Sequence, residues 1–223
     1  MMAGVLLAAG GSTRMGRPKA LVRSQGESFI AHGIVHLWAA CDVVVVVLGS
    51  NAATVRKKTE EEFVKLIGSP QFARDLKKSK RKADDEMEVH FVVNARWKRG
   101  MLSSAVEGLR AVAELKPEAV LVLPVDHPNV KPETVLDLAV VMQQALAASR
   151  SSKVKQTFSY ALIPRHGRRR GHPVVLSPAL AQAVTRDTEA VDLSDAIRRN
   201  ARLVGYLDVK DAGVTRNRNR PGD

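Results

Sequence analysis

The chain has 223 residues, 45% hydrophobic and 26% charged, enough apolar material for one α/β core. Its formal net charge of +12 favours anionic partners, but only 4% of residues are aromatic and no nucleic-acid module is visible, so nucleic acid is not the expected partner. No apolar run approaches the ~20 residues of a membrane span, and the single cysteine, Cys41, excludes an intrachain disulfide and suits a reducing cytoplasm.

In chain order, Ala3 to Leu7 read as an apolar strand that runs into Ala8-Ala9-Gly10-Gly11-Ser12-Thr13-Arg14-Met15-Gly16-Arg17-Pro18-Lys19. The apolar start lacks a basic leader and breaks into glycines, unlike a secretion signal. Gly10, Gly11 and Gly16 allow the main chain to approach a ligand closely, and such a loop exposes N–H groups that can cradle phosphate oxygens. Arg14 adds a forked cation and Lys19 a point charge. The plain alternative is a Gly-rich turn with solvated charges. The stretch is not a P-loop, because Lys19 follows a proline, and it lacks the Gly-x-Gly-x-x-Gly of dinucleotide-binding folds. A redox dinucleotide is therefore not expected.

Phe29, Ile30, Ile34, Val35, Leu37 and Trp38 recur at helical spacing. Val43 to Leu48 is a continuous apolar run, as in a strand buried on both faces of a parallel sheet. Asn51 is expected to cap a helix that continues to Ile67. Residues 68–87 are charged and read as a surface excursion. A strand is expected over Val89 to Val93, a helix from Ser103 to Leu115, and a strand from Ala119 to Leu123. Pro132 to Ala148 reads as a helix with proline in its first turn. A second excursion is placed at 149–156. Thr157 to Ile163 and Pro173 to Leu176 are read as strands flanking an arginine-rich loop, and Arg202 to Val209 as the last strand. The alternation predicts an α/β three-layer sandwich, one domain over residues 1–223, with ligands at the carboxyl ends of the strands.

Asp126 follows Val120-Leu121-Val122-Leu123-Pro124-Val125, which places it at such a strand end. Beside triphosphate oxygens a hard carboxylate suits Mg²⁺; between two prolines it could equally cap a turn. His127 is a poor Mg²⁺ ligand and is read as shaping the loop or meeting substrate. Asn94, Ser103 and Ser104 bracket a turn at Gly100, where they suit nucleoside recognition or plain helix capping. Gly171-His172-Pro173 follows the arginine-rich loop, a weak signal by itself.

Together these elements resemble the molybdenum cofactor cytidylyltransferase-like group of the MobA-like NTP transferases, along nearly the whole chain outside the two excursions. The resemblance implies a Rossmann-like nucleotidyltransferase fold with a mainly parallel mixed sheet. It also implies transfer of a nucleoside monophosphate from an NTP to a phosphorylated small-molecule acceptor such as molybdopterin, with Mg²⁺ and release of pyrophosphate. Ala8, Ala9, Gly10, Gly11, Ser12, Arg14 and Lys19 would bind the triphosphate, with Lys19, Arg14 and Asp126 catalytic. Asn94, Ser103 and Ser104 would hold the nucleoside, Gly171, His172 and Pro173 the acceptor, and Asp126 with Asn219 the metal. A protein that receives the finished cofactor is a further implied partner. The Ala8-Ala9-Gly10 run and the Gly171-His172-Pro173 element lean toward CTP. The tail departs from the family, offering Asn219 between arginines where relatives carry an acidic segment. A sugar- or polyol-phosphate nucleotidyltransferase and a non-catalytic nucleotide-binding protein are the alternatives.

Overall fold

The computed structural model describes residues 1–11, 18–67, 72, 88–151 and 158–218. Its strands are β1 (Met2–Ala8), β2 (Arg23–Ser24), β3 (Glu27–Ser28), β4 (Val43–Leu48), β5 (Glu88–Val93), β6 (Ala119–Pro124), β7 (Tyr160–His166), β8 (Arg169–Arg170), β9 (Val174–Leu176) and β10 (Leu203–Asp208). The helices are α1 (Phe29–Trp38), α2 (Ala52–Ile67), α3 (Met101–Ala113), α4 (Pro132–Ser151), α5 (Pro178–Arg186) and α6 (Leu193–Asn200).

Every residue of β1, β4 and β6 is buried, because these strands have neighbours on both edges and helices on both faces. The sheet runs β10-β7-β9-β6-β1-β4-β5, with β8 folded onto β7. β1 is parallel to β4, from Ala3 opposite Val43 to Ala8 opposite Leu48, and parallel to β6, from Met2 opposite Ala119. β9 enters antiparallel to β6 and β7, and β10 is parallel to β7, so the sheet is mixed but mainly parallel. Alternate residues supply two apolar cores. Leu6, Val44, Val46, Leu121 and Leu123 face α1 and α4; Val5, Leu7, Val45, Val47 and Val122 face α3, α5 and α6. The result is a three-layer α/β sandwich. No described helix is long and apolar enough to cross a membrane.

Strand β4 lies on one side of β1 and β6 on the other, so the strand order reverses at β1. A crevice opens there at the carboxyl ends of β1 and β6, the place where open α/β sheets bind ligands.

Helix α3 reaches β1 through a glycine. A Cβ at Gly108 would lie 2.3 Å from Val5 Cγ1 and 2.8 Å from Val47 Cγ2, both on stiff β-branched side chains in the core. At Gly33 of α1 the corresponding clash is 2.6 Å to Leu6 Cδ1, the far end of a longer side chain. Alanine returns about 1 kcal/mol of helix propensity, but overpacking costs roughly 1–3 kcal/mol. Gly108→Ala is expected to lower Tm by several degrees and Gly33→Ala by less, read by thermal unfolding. Equal Tm values for Gly108→Ala and the parent would show that α3 shifts freely.

Several expectations change at element ends. Asn51 has φ 57° and directs its Nδ2 to Ser50 Oγ, so its side chain does not cap α2; only its carbonyl enters the helix, accepting from Val55 N–H at 2.9 Å. Helix α3 starts at Met101, behind Gly100 with φ 94°, and not at Ser103. Helix α4 extends to Ser151, so residues 149–151 belong to it and not to an excursion. The strand expected from Thr157 begins at Tyr160. Of the first excursion only Phe72 is described, its ring stacked on Trp38 with centroids 5.8 Å apart; the rest of 68–87 lies outside the described residues, as do residues 152–157. Two helices unforeseen in the periodicity follow β9: α5, capped by Ser177 ahead of Pro178, and α6, capped by Asp192.

Candidate functional site

The carboxyl end of β1 delivers Ala8, Ala9, Gly10 and Gly11 into the crevice. Ser12 and Arg14 lie outside the described residues, as does Asn219. The chain is described again from Pro18, and Lys19 opens a short 3-10 turn, Lys19–Leu21. From there Lys19 Nζ reaches Asp126 Oδ2 at 3.3 Å, both side chains about one-fifth exposed. The segment just after the loop and the end of β6 thus meet in one ion pair. Val125 N–H donates to Leu7 O at 3.0 Å, which carries the β1–β6 pairing up to Asp126 itself.

The two loop glycines differ. A Cβ at Gly11 would lie 2.8 Å from the Trp97 ring, so glycine is needed there for packing. A Cβ at Gly10 would meet nothing within 4 Å among the described residues, and its φ is not positive. The sequence reading did not assign Trp97 to the site. The indole packs over Gly11, and its Cβ would lie 2.7 Å from one placed on Gly49, so it ties the segment after β5 to the glycines after β1 and to Gly49. Its place between Asn94 and Gly100 was visible in the sequence; its contact across the sheet was not.

Asn94, Ser103 and Ser104 come together. Asn94 Nδ2 donates to Ser103 Oγ at 2.9 Å and Ser104 Oγ at 3.0 Å, and its Oδ1 accepts from Arg96 N–H at 2.9 Å. Ser103 Oγ in turn donates to Gly100 O at 2.8 Å. The buried carboxamide therefore fixes the turn and the two hydroxyls, which stand at the start of α3 at the edge of the crevice.

The other wall is built by the C-terminal segment. Asp211 accepts from Lys131 N–H at 2.8 Å, Thr134 Oγ1 at 2.9 Å and Gly213 N–H at 2.8 Å. A Cβ at Gly213 would fall 2.0 Å from Asn129 O, and one at Gly171 2.2 Å from Val214 O. His172 N–H donates to Val214 O at 2.9 Å, and Arg218 N–H donates to the Asp126 carbonyl at 2.8 Å. This strap accounts for Gly171: the backbone that approaches it closely is the chain's own. Pro173 is buried behind it, at the head of β9.

His127 and His172 pack ring to ring under Asp126, centroids 5.1 Å apart. Burial lowers the pKa of His127, against the opposing pull of Asp126. Burial, then the neighbouring His127, brings His172 down to about 4. Both imidazoles are therefore neutral at neutral pH, and His127 Nδ1 faces Gly213 O at 3.4 Å.

No group of three or more His, Cys, Asp or Glu is placed to hold a metal among the described residues. Among the described residues Asp126 stands at the crevice as a lone carboxylate, which does not suit Zn²⁺. It does suit Mg²⁺, which takes one or two carboxylates and completes its shell from phosphates and water.

The chain is 31% identical over 214 residues to nicotine blue oxidoreductase of Paenarthrobacter nicotinovorans, covering 93% of this chain and 87% of that one. Over 64 residues it is 41% identical to a probable molybdenum cofactor guanylyltransferase of Bacillus cereus, 29% of this chain and 30% of that one. Among solved structures it resembles a nucleotidyl transferase from Methanothermobacter, with TM-score 0.64 and 20% identity over 99% of this chain and 92% of the other. It also resembles the molybdopterin-guanine dinucleotide biosynthesis protein A of Archaeoglobus fulgidus, with TM-score 0.60 and 18% identity over 99% and 93%. The model of the MobA-like NTP transferase domain matches residues 4–203, from β1 to the start of β10, and the chain belongs to that family.

Proposed function

We propose that the protein transfers a nucleoside monophosphate from an NTP to the phosphate of a small-molecule acceptor, releasing pyrophosphate. The observation that supports this most directly is the Lys19–Asp126 pair at the strand-order reversal, beside Gly10 and Gly11. The loop amides, with Arg14 and Ser12, would hold the triphosphate, and Lys19 would stand between donor and acceptor phosphates. Asp126, with Asn219 as a neutral oxygen donor, would hold Mg²⁺, which when bound neutralises charge developing between two phosphates. A structural relative from Mycobacterium tuberculosis was solved with manganese, which supports divalent-metal use in this fold. Asn94 would orient Ser103 and Ser104 toward the nucleoside, and Gly171, His172 and Pro173 would border the acceptor. The proposed setting is the cytoplasm, supported by a single, buried cysteine.

Ala8-Ala9-Gly10 supports CTP, whereas the name of the Bacillus cereus relative favours GTP. The experiment is a screen of the four NTPs, with Mg²⁺, for pyrophosphate release against phosphorylated acceptors including molybdopterin and sugar and polyol phosphates. Release with CTP and one acceptor class is the expected result. Release with GTP alone would overturn the base assignment, and release with none would leave a nucleotide-binding protein. The oxidoreductase name belongs to the relative; Gly-x-Gly-x-x-Gly is absent from this chain.

Gly10 gives a sharper check. Since no described neighbour fills its Cβ position, Gly10→Ala is expected to shift Tm by about 2 °C or less. If triphosphate oxygens lie against its backbone, the same methyl should weaken NTP binding about tenfold, or ~1.4 kcal/mol. A thermal melt reads the first and a calorimetric titration the second, and unchanged NTP affinity would remove Gly10 from the site.

A further inference from the structure

Beside His172 lies a cavity of 380 Å³. His172 packs on His127 under Asp126 and also lines this cavity, and Met101, the first residue of α3, lines it from the nucleoside side. His172 thus stands between this cavity and His127, the neighbour of Asp126. The cavity's volume is that of a small-molecule site.

The lining is uneven in character. Ile163, Val174 and Val204 form a floor on the sheet, and Leu193 and Ile197 of α6 form the wall. Two cations complete it, Arg170 and Arg198, with no carboxylate and no carboxamide among the lining residues. Arg198 is held by Asp195. Arg170 is exposed at the end of the β8 hairpin and meets no carboxylate among the described residues. The remaining polar side chains are His172 and the hydroxyls of Ser194 and Tyr206, so the apolar floor and wall offer few partners to a ligand body rich in N–H donors, and each donor buried unpaired costs binding. They do suit an apolar ring, and the guanidinium suits an anion at its edge.

We propose that this cavity holds the non-reacting body of the acceptor, and that this body is an apolar ring bearing its own anionic group, with the ring on Ile163, Ile197 and Val204 and the anion at Arg170. The proposal rests on the transferase reading for the word acceptor, but the cavity's preference can be measured without turnover.

The test is equilibrium binding of three probes to the full chain: glycerol 3-phosphate, phenyl phosphate and 4-carboxyphenyl phosphate. Phenyl phosphate is expected to bind at least tenfold tighter than glycerol 3-phosphate, and 4-carboxyphenyl phosphate tighter again. Arg170→Gln should remove the gain from the carboxylate and leave phenyl phosphate within threefold. Val204→Phe, a filling change at a half-buried position on an edge strand, should weaken both aryl phosphates at least tenfold while glycerol 3-phosphate binds as before. Equal binding of the three probes, or no response to either variant, would overturn the proposal. Titration of MgCTP and MgGTP on the same samples separates the two readings. Aryl selectivity without nucleotide binding keeps the cavity assignment and sinks the transferase; nucleotide binding without aryl selectivity does the reverse.

Discussion

Lys19→Ala is expected to lower turnover by about two to three orders of magnitude, the ~3–4 kcal/mol typical of losing one donor aimed at charge that develops in the transition state. The structure explains why stability should hardly follow. Lys19 and Asp126 are each about one-fifth exposed, so removing the ammonium leaves a carboxylate that water can still reach. Partly exposed ion pairs of this kind contribute about 1 kcal/mol or less. The vacated site also turns locally more negative, which opposes triphosphate entry, so KM for the NTP should rise as kcat falls. Steady-state kinetics together with a thermal melt check both parts. Turnover within about threefold of the parent would take Lys19 out of the mechanism.

Asp126→Asn should have an effect at least as large, through a different route. The isosteric amide keeps the backbone carbonyl that accepts from Arg218 N–H, so the strap should stay docked. It removes the carboxylate charge that pairs with Lys19. Metal-dependent pyrophosphate release should fall below detection, while NTP still binds through the loop amides and Lys19. That residual binding should weaken as salt is raised, because charge attraction to a polyanion carries it. Asn219→Asp is the complementary change and should lower the Mg²⁺ concentration needed for half-maximal release, by adding a charge where asparagine offers a dipole. An unaltered Mg²⁺ requirement in Asn219→Asp would place Asn219 outside the metal site. Full activity in Asp126→Asn would falsify the metal role altogether.

What the sequence revealed and what it hid divide along a physical line. Val43 to Leu48 was legible to the residue, because six consecutive apolar residues have few other solutions than a strand covered on both faces. That Lys19 and Asp126 would be neighbours was legible because strand alternation sends both to the same edge of the sheet. Conformations set by single backbone angles were not legible: Asn51 looks like a cap but sits at positive φ, and Gly100 starts a helix two residues before the serine that resembled its cap. Long-range contacts were hidden too. Nothing near Gly171 in the chain announces that Val214 O fills the space beside it, and nothing near Gly11 announces Trp97. The arginine-rich stretch likewise looked like a solvated loop, yet its last member stands at the mouth of a cavity.

The strap also fixes an order of assembly during synthesis. Strand β1 is made first, yet one of its two edges is closed only by β6, with Met2 opposite Ala119. At ordinary translation speeds that edge waits on the order of ten seconds, exposing an apolar strand in the meantime. The crevice waits longer still, since its far wall is drawn from Asp211, Gly213, Val214 and Arg218. A nascent chain stalled before residue 211 would display the phosphate loop and Asp126 but leave the flank of Gly171 and the Asp126 carbonyl open to water. Ribosome-bound intermediates of that length should accordingly exchange the amide of His172 rapidly, and lose that exchange once the strap supplies Val214 O.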